Sequence, residues 1–520
     1  MGTGDGESDH QLSGADHRDR ERAESMTVLL TVVGILIVVV GIIVSVALHE
    51  IGHLLPAKLF KVRVTQYMVG FGPTIWSTRR GETEYGIKAI LLGGYVAMIG
   101  MYPEPEKKAD DAAATGEEPG EQKVTEPTDS YLREVGAQYA APPIERSAAA
   151  EQLPDEAKRT VASHSTGLFQ QMSAEAREVA AEELKEGDED RLFYKLPAWK
   201  KIIVMLGGPA MNGLLALGLT AGTISLHGTN EAVPRVAEVY ECVVSVQASE
   251  AGRDECTAQD PPGPAYEAGL RPGDEIIEFR GEPIEEWDEL TALIREAAGE
   301  SSQLVYLRDG QQHTTTLTPI ETERPVTDRL GRVQTDATGQ MITEPVGFIG
   351  MGADQEVIRQ PPWEAGPIVW AQTEAVVGVV ATLPVRMYDV AVTTFTDAER
   401  DPDGPVSVVG VGRIAGEISA QDQIPWESRL ATLLSLVAGV NVALMVFNLI
   451  PLLPLDGGHV AGALWEALRR RLAKLRGRPD PGPFDISKLL PLTYVVAILM
   501  FAMGGLLISA DIVDPIRLFE

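Results

Sequence analysis

The chain has 520 residues, 44% of them hydrophobic, and a formal net charge of −31. Such a length accommodates several domains, and so acidic a balance argues against a nucleic-acid-binding surface, which requires a basic face. Two cysteines, Cys242 and Cys256, are too few for a disulfide framework or a thiolate zinc site. Both fall in one polar stretch, and the sequence leaves a single disulfide and two free thiols as open alternatives.

Residues 1–25 are polar and read as a disordered tail. From Met26 to Ala57, Glu50 is the sole acidic or basic residue. Residues 26–60 therefore read as a first transmembrane helix, with an apolar part too long for a cleaved signal peptide. His49-Glu50-Ile51-Gly52-His53 lies near its end. Residues i and i+4 share a helix face, so His49 and His53 present two imidazoles to one zinc ion. Glu50 sits beside them, where a carboxylate takes a proton from water. The competing reading is a chance match, since the motif fixes only three positions, but ionisable groups in hydrocarbon cost kilocalories and need a reason. A catalytic zinc needs a third protein ligand.

Residues 61–101 alternate around turn signals at Gly70, Gly72-Pro73 and Arg80-Gly81, then run Leu91-Leu92-Gly93-Gly94-Tyr95-Val96. This predicts a membrane-associated β-hairpin or sheet whose edge pairs with an extended substrate, with Gly93 and Gly94 as candidate substrate contacts. Residues 102–190 are an acidic insert, expected to be a largely disordered linker with a short helix near 173–187. A second span covers 200–228 and contains Gly207-Gly208-Pro209-Ala210-Met211-Asn212, where Pro209 is expected to kink the helix.

In 233–320, turns at Gly273-Asp274 and Arg280-Gly281 separate short strands, and Leu290, Leu293, Ile294 and Ala297 share one helix face. Residues 321–428 read as a linker with an interfacial helix over 366–385, because Glu374 and several glycines disfavour a span there. The third span, 429–458, ends Asn448-Leu449-Ile450-Pro451-Leu452-Leu453-Pro454-Leu455-Asp456-Gly457-Gly458-His459. Two prolines and two glycines break the helix around an acid at a membrane boundary, so Asp456 can supply the third ligand. Parity agrees, since four spans bring the ends of the first and third to one side. A basic loop, 459–488, a fourth span, 489–511, and a short tail, 512–520, complete the chain.

Lysines and arginines in the 459–488 loop, before the second span and after the first place those segments in the cytoplasm and 233–428 outside. Arg18, Arg20 and Arg22 argue the other way but are diluted by Asp19, Glu21 and Glu24.

These pieces in this order resemble the site-2 protease family of intramembrane zinc metalloproteases. The matching residues are HEIGH at 49–53, GFGP at 70–73, LLGGYV at 91–96, GGPAMN at 207–212 and NLIPLLPLDGG at 448–458. The 264–277 stretch is similar to the PDZ signature. The resemblance implies a polytopic α-helical membrane protein with four transmembrane helices, a membrane-associated β-sheet and one extracytoplasmic PDZ-like α+β domain. It implies a Zn2+ ion held by His49, His53 and Asp456, with Glu50 as general base. Asn448 and Asn212 match motif residues and are expected at the substrate, although helix–helix hydrogen bonding is the plainer role for intramembrane amides. His459 is expected to be structural or interfacial. Expected partners are the lipid bilayer and single-pass membrane proteins already clipped outside, such as anti-sigma factors or signal-peptide remnants. The PDZ-like domain would engage a peptide or substrate ectodomain and filter by size. The alternative is an inactive membrane PDZ scaffold that retains unused ligands.

Overall fold

A computed structural model describes residues 8–101, 184–245, 253, 255–327, 333–334, 341–396, 400–401 and 404–516. The helix expected near 173–187 lies outside these residues up to 183, and 184–187 form a turn.

The first helix, α1 (Ser8–Leu59), starts well before the apolar run. The disordered tail expected over 1–25 is thus helical from Ser8 onward. Once an apolar helix exists, each added residue gains a hydrogen bond for one residue's order, and the Glu, Arg and Ala of this stretch are good helix formers. The chain then turns into β1 (Val64–Arg80) and β2 (Thr83–Met98). Arg80 pairs with Thr83 and Thr74 with Lys88, while Val64 pairs with Met98 and Val69 with Gly94. Val69 also lies beside Ile87, so the first part of β1 is flanked on both sides by β2 and the long hairpin folds over into a small open sheet with the last part of β2 at one edge. Tyr67 donates its hydroxyl to the Ala47 carbonyl at 2.8 Å, docking this sheet on α1.

The second long helix, α2 (Ala198–Leu226), continues through Pro209 as one element. A soluble unit follows. Its strands and helices are β3 (Thr229–Val239), α3 (Pro264–Glu267), β4 (Glu275–Phe279), β5 (Glu282–Pro283) and α4 (Trp287–Glu296). Then come β6 (Ser302–Arg308), β7 (Gln311–Leu317), β8 (Ile320–Pro325), β9 (Thr343–Phe348) and β10 (Met351–Ile358). The main sheet has the order β10-β3-β4-β6-β7, with β5 on β4, and β8 pairs with β9 beside it. Ile276, Phe279, Leu290 and Leu304 are fully buried between this sheet and α4. The Glu286 side chain caps α4 in a reciprocal capping box with Glu289.

This unit is larger than the 233–320 read from the sequence. Met351 pairs with Val239 and Ile358 with Thr229, so the folded part runs from β3 to β10. The last strand groups its polar residues, Asp354, Gln355 and Glu356, together instead of alternating them with apolar ones, and its partner lies over a hundred residues away, so no local alternation announces it. Cys242 and Cys256 are joined by a disulfide.

The interfacial helix expected over 366–385 is a bent pair, α5 (Ala365–Ala381) and α6 (Leu383–Phe395). The two axes differ by 70°, the geometry of a broken span or a re-entrant loop. Pro384, in the first turn of α6, suits a helix start but not a continuing one. Instead of a linker, the next stretch forms α7 (Val408–Ala420), capped by the Ser407 hydroxyl. Asp511 also accepts the Ser407 and Gly410 amides, and a buried Arg400 holds Asp511 at 2.8 Å. α7 packs with α1 around Val38, Ala415, Ile418, Leu433 and Val437.

The third span, α8 (Trp426–Asn448), ends ten residues before the expected position. Pro451 and Pro454 interrupt the backbone, and Asp456 opens a new helix, α9 (Asp456–Leu475), where a loop was expected. The last helix is α10 (Leu490–Val513). Among the described residues four helices are long and apolar enough to cross a bilayer, or up to five if the bent pair counts as one span. The chain is a multi-pass membrane protein.

Candidate metal centre

Three helices build the centre. α1 brings His49, Glu50 and His53 to one buried face, and Asp456 enters from the first turn of α9. Between them runs α2. Its contact with α1 is backbone to backbone, because a Cβ on Gly52 would collide with the Gly207 carbonyl and one on Gly207 with the Gly52 carbonyl. Small residues permit this approach between helices that have no hydrophobic drive to associate in lipid. A Cβ on Gly208 would fall against the Nε2 atoms of both histidines. The double glycine therefore clears the space beside the donors.

The His49 and His53 Nε2 atoms stand 3.1 Å apart, and each lies 3.3 Å from Asp456 Oδ2. Three donors at tetrahedral angles about 2.0–2.1 Å from a zinc ion are separated by about 3.3 Å. The set therefore fits zinc in both chemistry and spacing. Asp456 Oδ2 is buried with no hydrogen-bond partner. Three electron-rich atoms converging without protons between them repel unless a cation joins them.

Tautomers are fixed from behind. His53 Nδ1 meets the Val204 carbonyl at 2.8 Å and donates to it, leaving Nε2 unprotonated. On the other ring, the Asn212 carboxamide meets His49 Nδ1 at 3.1 Å. A histidine ligating through Nε2 keeps its proton on Nδ1. The Asn212 Oδ1 atom is otherwise buried without a partner, and turning the amide by 180° brings it onto that proton as acceptor. Asn212, expected at the substrate, borders the cavity in front of the donors, but it is fully buried and its amide meets His49. The sequence carried a signal for this, an amide in an apolar span, but not its direction.

A cavity of about 630 Å³ opens in front of the donors. Gly93 and Gly94 on β2, Asn448 at the end of α8 and His459 on α9 line it. Gly93 has φ +135°, in a region open to glycine, and its missing side chain leaves room for the Phe71 ring. A Cβ on Gly94 would sit 2.8 Å from Glu50 Cγ, so the bare strand is what admits the carboxylate. One buried contact escaped the sequence reading. Asn441 on α8 donates to Ser45 Oγ at 2.8 Å, one turn before His49, tying α8 to α1. Lower down, Lys201 on α2 and Glu466 on α9 form a buried ion pair at 2.8 Å, and Glu466 also accepts the Phe484 amide.

Membrane-embedded helices, a curled sheet at their edge and a His-His-Asp donor set with an adjacent glutamate define an intramembrane zinc metalloprotease. The chain belongs to Peptidase family M50, which it matches over residues 37–479. It is 32% identical over 503 residues to "Zinc metalloprotease Rip1" of Mycobacterium tuberculosis (strain H37Rv), covering 95% of this chain and 100% of the relative. The protein of that name from Mycolicibacterium smegmatis is 30% identical over 505 residues, covering 94% and 99% of the two chains. "Zinc metalloprotease RasP" of Oceanobacillus iheyensis is 26% identical over 449 residues, covering 85% and 91%.

Proposed function

We propose that this protein hydrolyses peptide bonds in or beside the transmembrane segments of single-pass membrane proteins, with His49, His53 and Asp456 as zinc ligands and Glu50 as general base. The observation that carries the reading is the tetrahedral spacing of the three donors at the wall of a cavity that also holds Glu50 and a strand edge. Zinc bound there supplies Lewis acidity, polarising a carbonyl and making water nucleophilic near neutral pH. Glu50 accepts the proton from the attacking water on its carboxylate and returns it to the leaving amine nitrogen. His53 is held in the ligating tautomer by Val204 and His49 by Asn212. A helical substrate shields its carbonyls by hydrogen bonding. Pairing with β2 near Gly93 and Gly94 holds an unwound segment extended at the cavity. Asn448, which lines the same cavity, would hydrogen-bond that segment.

The metal centre faces the cytoplasmic side, a reading supported by the lysines and arginines at that end of the spans. The disulfide in the soluble unit supports an oxidising compartment for the opposite face. We assign that unit a PDZ-like fold that filters substrates by the size of what remains outside, so the substrates are proteins already cut there, anti-sigma factors or signal-peptide remnants among them.

The test is cleavage of such truncated single-pass proteins in membranes carrying wild type or Glu50→Gln, with zinc measured on both. The expected result is abolished cleavage with zinc retained. Equal processing by both proteins would sink the catalytic assignment and favour a scaffold.

A further inference from the structure

Among the described residues, none covers one face of α9. Leu464, Trp465, Leu468, Leu472 and Leu475 are between 38% and 76% exposed. At 100° per residue they fall within a single stripe, while Gly462, Ala463 and Glu466 occupy the opposite, buried side. The position of this stripe matters. Gly462 packs on Phe484 and Ile486, and the fourth span begins at Ile486. Residues 464–475 therefore run on from the level where that span starts, for about 17 Å of helix.

The charges around the stripe are one-sided. Between Leu464 and Arg478 there are six cations, Arg469, Arg470, Arg471, Lys474, Arg476 and Arg478, and one acid, Glu466, which is buried against Lys201. Arg469 turns to the Pro481 and Gly482 carbonyls, and Arg470 to Glu466 and Asp480. Arg471, Lys474, Arg476 and Arg478 are exposed. Arg471 and Lys474 flank the stripe on one side and Arg476 on the other. In a chain of net charge −31 this is a local inversion of sign.

We propose that α9 is an interfacial helix that binds anionic phospholipid headgroups in the leaflet nearest the metal centre. The leucines and Trp465 enter the acyl boundary, and the flanking cations reach the phosphates along their alkyl stems. Polybasic segments at a membrane surface gain about fivefold in affinity per cation for anionic lipid. Because Asp456 is the first residue of this same helix, the lipid contact fixes the axial position of a metal-centre donor.

The full-length protein is reconstituted in vesicles of phosphatidylcholine with or without phosphatidylglycerol. Lipids brominated near the headgroup are expected to quench a Trp component that Trp465→Phe lacks. Phosphatidylglycerol affinity is expected to fall about fivefold per cation removed in Arg471→Gln/Lys474→Gln, with phosphatidylcholine binding unchanged and inorganic phosphate failing to compete. Unquenched Trp465, or equal phosphatidylglycerol affinity in wild type and variant, overturns the proposal. So does efficient crosslinking between copies through Leu468→Cys, which assigns the stripe to a second chain. None of these readouts uses cleavage, so they stand or fall separately from the peptidase assignment.

Discussion

Replacing Asn212 by leucine separates two roles for one residue. The substitution keeps the side-chain volume but leaves the His49 Nδ1 proton without its buried acceptor. Removing an outer partner of a metal-bound histidine costs about 10–100-fold in metal affinity, or about 1.4–2.7 kcal/mol. Asn212 is fully buried, so no water replaces the lost oxygen and the upper half of that range is expected. Zinc affinity is measured on purified protein by chelator competition at fixed pH, with a thermal melt as a check on folding. Asn212→Asp, which retains an acceptor, should recover most of the loss. Cleavage by the leucine variant should return when zinc is raised to saturation. Unchanged zinc affinity combined with a raised KM would refute this reasoning and restore Asn212 to the substrate.

Three further outcomes follow from contacts described above. Glu466→Leu leaves Lys201 charged and unpaired in a buried site and is expected to cost about 3–5 kcal/mol in a denaturant titration, most of it recovered in Lys201→Met/Glu466→Leu. Gly94→Ala puts a methyl group 2.8 Å from Glu50 Cγ, so cleavage should fall at least tenfold while zinc content stays at wild-type level. Opening the disulfide by Cys242→Ser/Cys256→Ser releases a crosslink between residues 14 apart. On the loop-entropy view this lowers the stability of the soluble unit by about 3 kcal/mol, read as an earlier urea midpoint for its tryptophan signal.

The donor set was legible because each part carries its own local signature. His49 and His53 are one helical turn apart, and Asp456 stands between helix breakers at a span end. What lay behind the donors was not legible. Nothing in GGPAMN says that its second glycine faces two imidazoles or that Asn212 reaches a histidine 163 residues away. Such contacts depend on how two helices rotate against each other, and hydropathy is nearly blind to rotation when all sides of a helix are apolar. The same limit explains α7. At 13 residues it is too short for a span and too apolar for a surface helix, so only its burial against α1 reveals it. In α9, the run of three arginines suggested a loop, while the leucine spacing beneath it was helical throughout.

The soluble unit leaves and re-enters the membrane part through paired neighbours. Two residues separate the end of α2 from the start of β3, whose first residue, Thr229, is matched with Ile358, the last of β10. Gln360 then donates its amide to the Ile224 carbonyl and accepts from Ser225, sealing the base of this stalk. Cross-strand neighbours have Cα atoms about 5 Å apart, a gap that a two-residue turn closes. The membrane part is therefore interrupted by this unit at a single point, as a ring is interrupted by its setting. Domains of other sizes can be mounted on the same two strand ends without moving α2 or disturbing the histidines packed against it.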